Sequence, residues 1–305
     1  MKNKEGEYLI YFIVNPAAGS GRAKTAVPII EKIMRGHNAG HSVIYTDGGG
    51  DFNRVSGLID LNTAQTIACV GGDGTIQEYV GLAVGRDINF AVIPAGSAND
   101  LLLSMPANKY KFNSFEEKIK FYTEKIIAGK SAQVDAVSVN GEQYFFNIGG
   151  TGIDIQVLTD ALALKKLMGK AAYFISLIKN TVTYNSGIMT LTVDGKPETD
   201  KFLLLAVCNG AYYGGGMNIA PPALINDGFI TLCKVKNMPR IKLMAMFPRV
   251  KSGSHSKLKE VSFANCSSVK LEFDGVKTIN LDGNLIDFKS PVIFNIIKGG
   301  VKFII

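Results

Sequence analysis

The first hundred residues repeat one pattern: a continuous apolar run, a glycine-bearing turn and a helix-like stretch. The apolar runs cover residues 8–14, 41–46, 66–70 and 90–94, and the helix-like stretches cover 23–34, 52–61 and 75–84. Strands that are apolar at every position are buried on both faces, as in parallel sheets covered by helices on both sides. The pattern therefore predicts an N-terminal doubly wound α/β domain.

The rhythm changes at residues 129–131. Strand-like runs then follow one another through Asn-Gly, Asp-Gly and Gly-Gly turns, which favour tight antiparallel hairpins. Two helix-like segments, 155–180 and 240–250, interrupt them. We expect a C-terminal antiparallel β domain, a sandwich or a barrel, with domains at 1–130 and 131–305 and the extreme C-terminus able to pack back on the first.

The composition indicates a globular intracellular chain. Of the 305 residues 47% are hydrophobic and 19% are charged, which excludes disordered and fibrous classes. The four cysteines lie far apart without a Cys-x-x-Cys pair, which argues against a disulfide framework or a zinc site. The apolar run near the N-terminus is too short for a signal peptide or a membrane span. We therefore expect a cytoplasmic protein.

The net charge of +7 is concentrated in one segment. Residues 234–259 contain eight basic side chains and no acidic one, namely Lys234, Lys236, Arg240, Lys242, Arg249, Lys251, Lys257 and Lys259. Apolar residues between Ile241 and Phe247 recur at helical spacing, which is typical of a basic amphipathic helix on an anionic membrane. The alternative is a solvated face. For His255 in this segment we expect a solvated loop rather than a phosphate or headgroup contact. We expect peripheral membrane contact through this segment, and no nucleic acid.

Three glycine turns follow the first, third and fourth predicted strands. They are Asn15–Gly21, Gly71–Thr75 and Pro94–Asp100. In a doubly wound sheet ligands bind outside the carboxyl ends of the strands, where the three turns should converge. Glycine lets main-chain N–H groups approach phosphate oxygens, and Ser20, Thr75, Ser97 and Asn99 add side-chain donors. The spacing fits neither the dinucleotide Gly-x-Gly-x-x-Gly pattern nor the Walker lysine pattern.

Asp73 lies in the middle turn, among these N–H groups. A turn-forming Asp-Gly pair is the simplest explanation. A carboxylate beside phosphate is nevertheless repulsive unless it holds Mg²⁺ or accepts a proton, and we therefore favour a chemical role.

The motifs together resemble a known family. Asn15-Pro-x-x-Gly, Gly71-Gly-Asp-Gly-Thr-x-x-Glu78 and Pro94-x-Gly-x-x-Asn-Asp100 are similar to the diacylglycerol kinase catalytic domain family, which includes sphingosine and ceramide kinases. The segments 209–221, 223–229 and 281–284 resemble its β-sandwich domain. The Gly-Gly-Asp-Gly-Thr element is also similar to that of NAD kinases.

The resemblance implies an ATP- and Mg²⁺-dependent kinase that phosphorylates a lipid hydroxyl, of diacylglycerol or a related lipid. It implies a structural Mg²⁺ site at Leu224, Asp227 and Phe229, a catalytic Mg²⁺ network with Asp73 and Asp100, and Asp282 as general base. The candidate nucleotide contacts are Asn15, Pro16, Ala17, Ala18, Gly19, Thr46, Gly71, Gly72, Asp73, Gly74, Thr75, Ile76, Gln77, Ser97 and Asn99.

One position departs from the family pattern. The usual Asp-Gly-Glu reads Asp282-Gly283-Asn284 here, and Asn cannot take a proton. The candidate catalytic residues are therefore Asp282, Asp73 and Asn284, with the base left open between Asp73 and Asp282. The alternatives are a small-molecule kinase similar to NAD kinases and a catalytically impaired nucleotide- or lipid-binding protein. The oligomeric state stays open, a homodimer included.

Overall fold

The computed structural model describes residues 9–48, 50–105, 110–168, 171–184 and 186–305, so Tyr8 of the first predicted strand lies outside it. The chain forms two compact units. The first extends to Ala136 and includes Ile297–Ile305, and the second comprises Val137–Ile296. The chain passes from the first to the second within a strand that begins at Ser131.

The first unit contains the predicted alternation of strands and helices. Its elements are β1 (Leu9–Val14), α1 (Arg22–Gly36), β2 (His41–Tyr45), α2 (Phe52–Gly57), β3 (Ala64–Gly71), α3 (Asp73–Tyr79), β4 (Asn89–Pro94), α4 (Asp100–Ser104), α5 (Phe115–Ala128) and the start of β5 (Ser131–Val139). The strands are parallel in the order β2, β1, β3, β4. The carboxyl ends of these four strands therefore lie side by side.

Helix packing in the first unit follows from the sequence. α1 buries Ala23, Ala26, Val27, Ile30 and Met34, which share one helical face.

A capping box starts α5, because the Ser114 hydroxyl accepts from Glu117 N at 3.0 Å and the Glu117 carboxylate accepts from Asn113 N at 2.7 Å. Gly129 ends the same helix in the left-handed region, at φ 67°.

The second unit is built mainly of strands. Its elements are the end of β5, β6 (Gln143–Phe145), β7 (Ile148–Gly152), α6 (Ile153–Met168), α7 (Ala171–Thr183), β8 (Ile188–Val193), β9 (Lys196–Cys208), β10 (Tyr212–Tyr213), β11 (Met217–Asn218), β12 (Ile230–Lys236), α8 (Arg240–Ser252), β13 (Val261–Cys266), β14 (Ser268–Glu272), β15 (Val276–Leu281), β16 (Asn284–Lys289) and the first part of β17 (Val292–Ile304).

Strand β9 joins two antiparallel sheets in this unit. Its first half pairs with β8, and its second half pairs with β7 and β12. Apolar side chains from both sheets form one core, in which Phe145, Phe202 and Phe294 are fully buried. The fold is therefore a doubly wound α/β domain followed by an antiparallel β-sandwich domain, as the sequence predicts.

Several local predictions differ from the structure. The helix predicted at 52–61 ends at Gly57. The helix predicted at 75–84 begins at Asp73, and it is followed by a 3-10 turn at Val80–Leu82. This turn contains Gly81, and glycine is unfavourable inside an α-helix. The helix predicted at 155–180 is two helices, α6 and α7, and residues 169–170 between them lie outside the described ranges.

The prediction for His255 is wrong. The side chain is buried, its Nε2 lies 3.0 Å from the Ile219 carbonyl oxygen, and its ring meets Phe263 edge to face. Burial lowers the pKa of His255 below its ordinary value, which favours the neutral imidazole. The polar neighbours Gly-Ser-x-Ser suggest solvent, but a 3-10 turn at Ser254–Lys257 directs the ring inward.

Candidate active site

The three glycine turns of the first unit meet at the carboxyl edge of its sheet. The N–H groups of Ala95 and Gly96 both donate to the Gly71 carbonyl oxygen, each at 2.9 Å. A Cβ atom added at Gly96 would lie 2.4 Å from Gly72 Cα, and one added at Gly19 would lie 2.0 Å from the Ala95 carbonyl oxygen. The turns therefore touch through main chain, where side chains other than hydrogen do not fit.

Two asparagines fix these turns. Asn15 donates through Nδ2 to the Thr75 hydroxyl at 3.2 Å, and its Oδ1 accepts from Ala17 N at 3.1 Å. Asn99 has left-handed backbone geometry, and its amide binds both the N–H and the carbonyl of Gly96. Asn99 is thus engaged in shaping its own turn. The remaining candidate contacts in the turns range from exposed Ala17 and Ser97 to buried Ile76 and Gln77.

Thr46 places a buried hydroxyl at the same edge. Its N–H extends the hydrogen bonding between β1 and β2 by donating to the Val14 carbonyl at 2.9 Å. Its Oγ1 is buried and has no hydrogen-bond partner within the described ranges. A buried hydroxyl without a partner costs about 1–3 kcal/mol, so the site is better suited to a polar ligand than to an empty state.

Glu78 orders the loop that follows Thr46. Its Oε1 accepts from the N–H groups of Gly50 and Asp51, each at 3.1 Å. The Arg54 guanidinium holds Asp51 in turn and lowers the pKa of that carboxyl. Sequence reasoning gave Glu78 no role, although it closes the Gly-Gly-Asp-Gly-Thr-x-x-Glu motif.

Asp73 and Asp100 come together at the start of α4. Asp73 Oδ1 accepts from Leu101 N at 3.1 Å, directly beside Asp100, which is buried. Asp73 has no further protein partner among the described residues, which leaves its Oδ2 available. The described part of the chain contains no cluster of three or more His, Cys, Asp or Glu side chains suited to a metal ion. A Mg²⁺ ion at this edge would depend on a carboxylate with water and phosphate oxygens, which is a common arrangement for Mg²⁺.

The other predicted metal residues lie in the second unit. Leu224 and Phe229 are exposed, and Asp227 Oδ1 accepts from Phe229 N at 2.9 Å in a tight turn. The loop contains one carboxylate, that of Asp227, and main-chain carbonyl groups, which are donor types that hard cations accept.

Asp282 forms the tip of the β15–β16 hairpin. Asp282 and Gly283 both have positive φ, 49° and 97°, as in a two-residue hairpin turn. The Asp282 carboxylate accepts hydrogen bonds from main-chain N–H groups of residues 146–148. Asn284 begins β16 opposite Leu281.

Sequence reasoning missed Asp154, in the first turn of α6. The residue as a whole is half-buried, but its Oδ1 is sealed from solvent and has no hydrogen-bond partner in the described structure. Burial raises the pKa of Asp154 to about 6, although a hydrogen bond with Asn280 acts in the opposite direction. Asn280 Oδ1 in turn accepts from Gly283 N at 2.8 Å. Acidic residues are common in the first turn of a helix, so the sequence does not indicate that Asp154 is buried against Asn280.

We predict that Asp154→Asn stabilises the protein at neutral pH. The folded-state pKa of about 6 exceeds the ordinary value of 3.8 for an aspartate, so the wild type loses stability as pH rises through this window, by at most about 3 kcal/mol. Asparagine stays neutral and keeps an oxygen for Asn280. Urea unfolding at pH 4.0 and 7.5 should show a gain at pH 7.5 that is much smaller at pH 4.0.

Asp160→Asn on the same helix is the matched control. The bond to Lys179 lowers the pKa of Asp160, so removing this carboxylate should not produce a gain at neutral pH. An Asp154→Asn effect that is equal at both pH values would contradict the assignment of a buried, proton-binding carboxyl.

Comparison with known proteins places the chain in a family. The diacylglycerol kinase catalytic domain model matches residues 9–139, and the YegS C-terminal NAD kinase beta sandwich-like domain model matches residues 148–304. A diacylglycerol kinase of Mycobacterium tuberculosis (strain CDC 1551 / Oshkosh) is 27% identical over 92% of this chain and 89% of its own length. A diacylglycerol kinase of Bacillus subtilis (strain 168) is 27% identical over 89% and 88%.

A solved structure agrees in fold. The crystal structure of a diacylglycerol kinase from Bacillus anthracis str. Sterne covers 99% of this chain and 98% of its own, with 24% identity and a TM-score of 0.75. Both domain models match in the expected order and together cover both units. The chain therefore belongs to the lipid kinase family that joins a diacylglycerol kinase catalytic domain to a YegS-type β-sandwich domain, and it is a kinase.

Proposed function

We propose that this kinase transfers the γ-phosphoryl group of ATP to a hydroxyl group of diacylglycerol or a related lipid, with Mg²⁺ as cofactor. The observation that supports ATP binding is the convergence of three glycine turns beside the Thr46 hydroxyl, which has no partner among the described residues. The proposal that the acceptor is a lipid is supported by two of the relatives, which are diacylglycerol kinases.

Residues of both units have separate roles in the proposed binding of ATP and metal ions. Main-chain N–H groups of the three turns bind phosphate oxygens, and Thr46 donates or accepts through its hydroxyl. Asp73 and Asp100 would hold Mg²⁺ at the phosphates, and the Asp227 loop would hold a second, structural ion. Bound Mg²⁺ supplies neutralisation of the charge on the phosphates.

The transfer itself needs little covalent chemistry from the protein. The lipid oxygen forms a bond to the γ-phosphorus, the bond to the β-phosphate oxygen breaks, and ADP leaves with that electron pair. The proton of the lipid hydroxyl goes to a carboxylate, either Asp73 or Asp282. Positioning and charge stabilisation account for most of the rate.

The activity is tested with ATP labelled at the γ-phosphate and a panel of acceptors. The panel contains diacylglycerol, a sphingoid base and phosphatidylglycerol in mixed micelles, with NAD as a soluble acceptor. We expect label in a lipid product, dependent on Mg²⁺. Label in NADP without any labelled lipid would overturn the proposal and favour a small-molecule kinase similar to NAD kinases.

The nucleotide site is tested with Thr46→Val. Valine keeps the shape but removes the unpartnered hydroxyl, so ATP affinity should fall by about tenfold while the unfolding free energy stays equal or rises. Thr123→Val is the control, because the buried Thr123 hydroxyl already donates to the Ile119 carbonyl at 2.8 Å. It should lower stability without changing ATP affinity, as measured by calorimetry.

Gly72→Val gives a second test of the same site. A Cβ at Gly72 would lie 3.2 Å from Gly96 Cα, so a branched side chain would occupy the edge where phosphate should approach. ATP affinity in a folded Gly72→Val protein equal to that of the wild type would place the nucleotide elsewhere.

Access to a lipid hydroxyl requires contact with a membrane, and the described residues include no helix that is long and apolar enough to span one. Part of the basic segment is neutralised within the second unit. Lys234 pairs with Glu198, Lys236 with Asp200, and Lys242 with Glu260. Within the segment 234–259, four basic residues are exposed and have no ion pair with a described residue, namely Arg249, Lys251, Lys257 and Lys259.

Helix α8 also has exposed apolar side chains. Leu243, Met246 and Val250 pack into the core, whereas Ile241 is 85% exposed and Met244 48% exposed. The predicted amphipathic helix thus has apolar residues on both sides, and Arg249 and Lys251 are exposed in its last turn. This outward surface is suited to an anionic membrane.

Four unpaired cations near an anionic surface would contribute about 4 kcal/mol, within a Debye length of about 8 Å at physiological salt. We predict that replacing Arg249, Lys251, Lys257 and Lys259 with Gln lowers binding to phosphatidylglycerol vesicles by at least about tenfold. Sedimentation with these vesicles, at low and physiological salt, measures the effect.

A second quadruple variant controls for net charge. Lys24, Lys32, Lys196 and Lys289 are exposed and lie outside the segment, and their replacement by Gln removes the same four charges. Its binding should stay close to that of the wild type. Equal losses in the two variants would mean that net charge, and not this surface, determines binding.

A further inference from the structure

Helix α7 buries polar side chains and exposes apolar ones. Among the side chains of α7 that the structure describes, the buried ones are Ser176, Asn180 and Thr181. On the outer side, Ile178 is 41% exposed and Val182 is 61% exposed. A surface helix of a soluble protein normally buries its apolar side and turns its polar side to water. The described part of α7 has the opposite arrangement.

Hydrogen bonds to α6 and within α7 hold the polar side inward. Asn180 Nδ2 donates to the Asp160 carboxylate at 2.7 Å and to the Ser176 carbonyl oxygen at 2.8 Å. The Lys179 ammonium lies 2.9 Å from the same carboxylate. Because hydrogen bonds are directional and a buried polar group is costly without them, these contacts fix the rotation of α7 about its axis. The apolar side is thereby directed outward.

The apolar side of α7 is continuous along the helix. Ile175, Ile178 and Val182 follow at intervals of three and four residues, which places them on one face. Lys179 is the only charged residue in the sequence of α7, and Asp160 neutralises it. A continuous apolar face that is exposed marks contact with another molecule or with a membrane.

Helix α8 packs against α7 and adds positive charge to apolar side chains. Exposed Ile241 and Met244 are three residues apart, and Lys251 follows Met244 by seven, so the three share one face. Arg249 and Lys251 have no ion pair with a described residue. Apolar side chains beside unpaired cations complement an anionic bilayer, whereas a second copy of this chain would bring like charges together.

We propose that the outer sides of α7 and α8 form one surface that inserts into an anionic bilayer. Ile178 and Val182 of α7 and Ile241 and Met244 of α8 enter the acyl-chain region, and the cations of α8 lie at the headgroups. The inference rests on the proposed function, in which the acceptor is a membrane lipid, and it adds α7 to the contact. Binding through charge alone is removed by salt, but insertion leaves a component that salt does not remove.

Tryptophan fluorescence tests the insertion directly, because the sequence contains no tryptophan. Val182→Trp places one reporter in α7, and Ile241→Trp places one in α8. On phosphatidylglycerol vesicles with brominated acyl chains, both reporters should shift to shorter emission wavelength and be quenched by the bromine atoms.

Val276→Trp is the control for the affinity of tryptophan itself for a bilayer. Val276 is exposed in β15 of the same unit and lies outside both helices. This reporter should show neither the shift nor the quenching. A reporter at residue 182 that is not quenched, or equal quenching in all three variants, would overturn the insertion of α7.

A double variant without any change of charge measures the contribution of α7 to binding. Ile178→Ser with Val182→Ser replaces exposed side chains, so the free energy of unfolding should stay close to that of the wild type. Sedimentation with phosphatidylglycerol vesicles in about 1 M salt, where the Debye length is about 3 Å, should show binding lowered by at least about tenfold.

Leu58→Ser with Val276→Ser is the matched control for the double variant. Leucine and valine contain the same numbers of carbon atoms as isoleucine and valine, and Leu58 and Val276 are also exposed. Their replacement should leave sedimentation unchanged. Equal losses in the two double variants, or no loss in the α7 variant, would reject the proposed surface.

The oligomeric state without lipid distinguishes a bilayer from a second copy of the chain. Light scattering should give the same mass for the wild type and for Ile178→Ser with Val182→Ser. A wild-type dimer that becomes a monomer in this variant would mean that a second chain covers the face, and it would overturn the inference.

Insertion and activity are measured separately. The fluorescence and sedimentation experiments contain no ATP, so a wild type that phosphorylates no lipid would refute the proposed function without affecting them. Unquenched reporters in a protein that does phosphorylate diacylglycerol would reject the insertion alone.

Discussion

The close approach of main chain at the edge of the first unit is the constraint on which the candidate site depends. Gly96 lies against Gly72, and Gly19 lies against Ala95, at distances that exclude a Cβ atom. The parallel order of β2, β1, β3 and β4 brings the turns to one edge, and the glycines let them touch. Main-chain groups from separate parts of the chain thus converge at the edge where the proposed function places phosphate.

Much of this edge could be predicted from the sequence, because βα units place their turns by rule. Continuous apolar strands followed by glycine turns determine both the sheet and the position of Asp73. The state of individual polar groups could not be predicted in this way. The unpartnered Thr46 hydroxyl and the bonds of Glu78 to residues 50–51 depend on contacts between distant parts of the chain. Asp154 is similar, since its partner Asn280 lies 126 residues away in the sequence.

Charge was the property that local sequence described least well. Residues 234–259 contain no acid, yet strand pairing places β12 beside β9 and brings Lys234 and Lys236 to Glu198 and Asp200. Glu260, one residue beyond the segment, pairs with Lys242. The segment therefore presents less positive charge than its composition indicates, and the exposed cations concentrate toward and beyond the end of α8. Surface potential follows three-dimensional pairing and not the count along the chain.

The departure at Asn284 has a structural interpretation in the same terms. Asp282 meets two local demands, because it adopts the positive φ of the hairpin tip and its carboxylate receives the N–H groups of residues 146–148. Neither demand involves residue 284, which starts β16 opposite Leu281. The replacement of the usual glutamate by Asn therefore changes the local charge, while the hairpin and the enclosed Asp282 carboxylate stay in place.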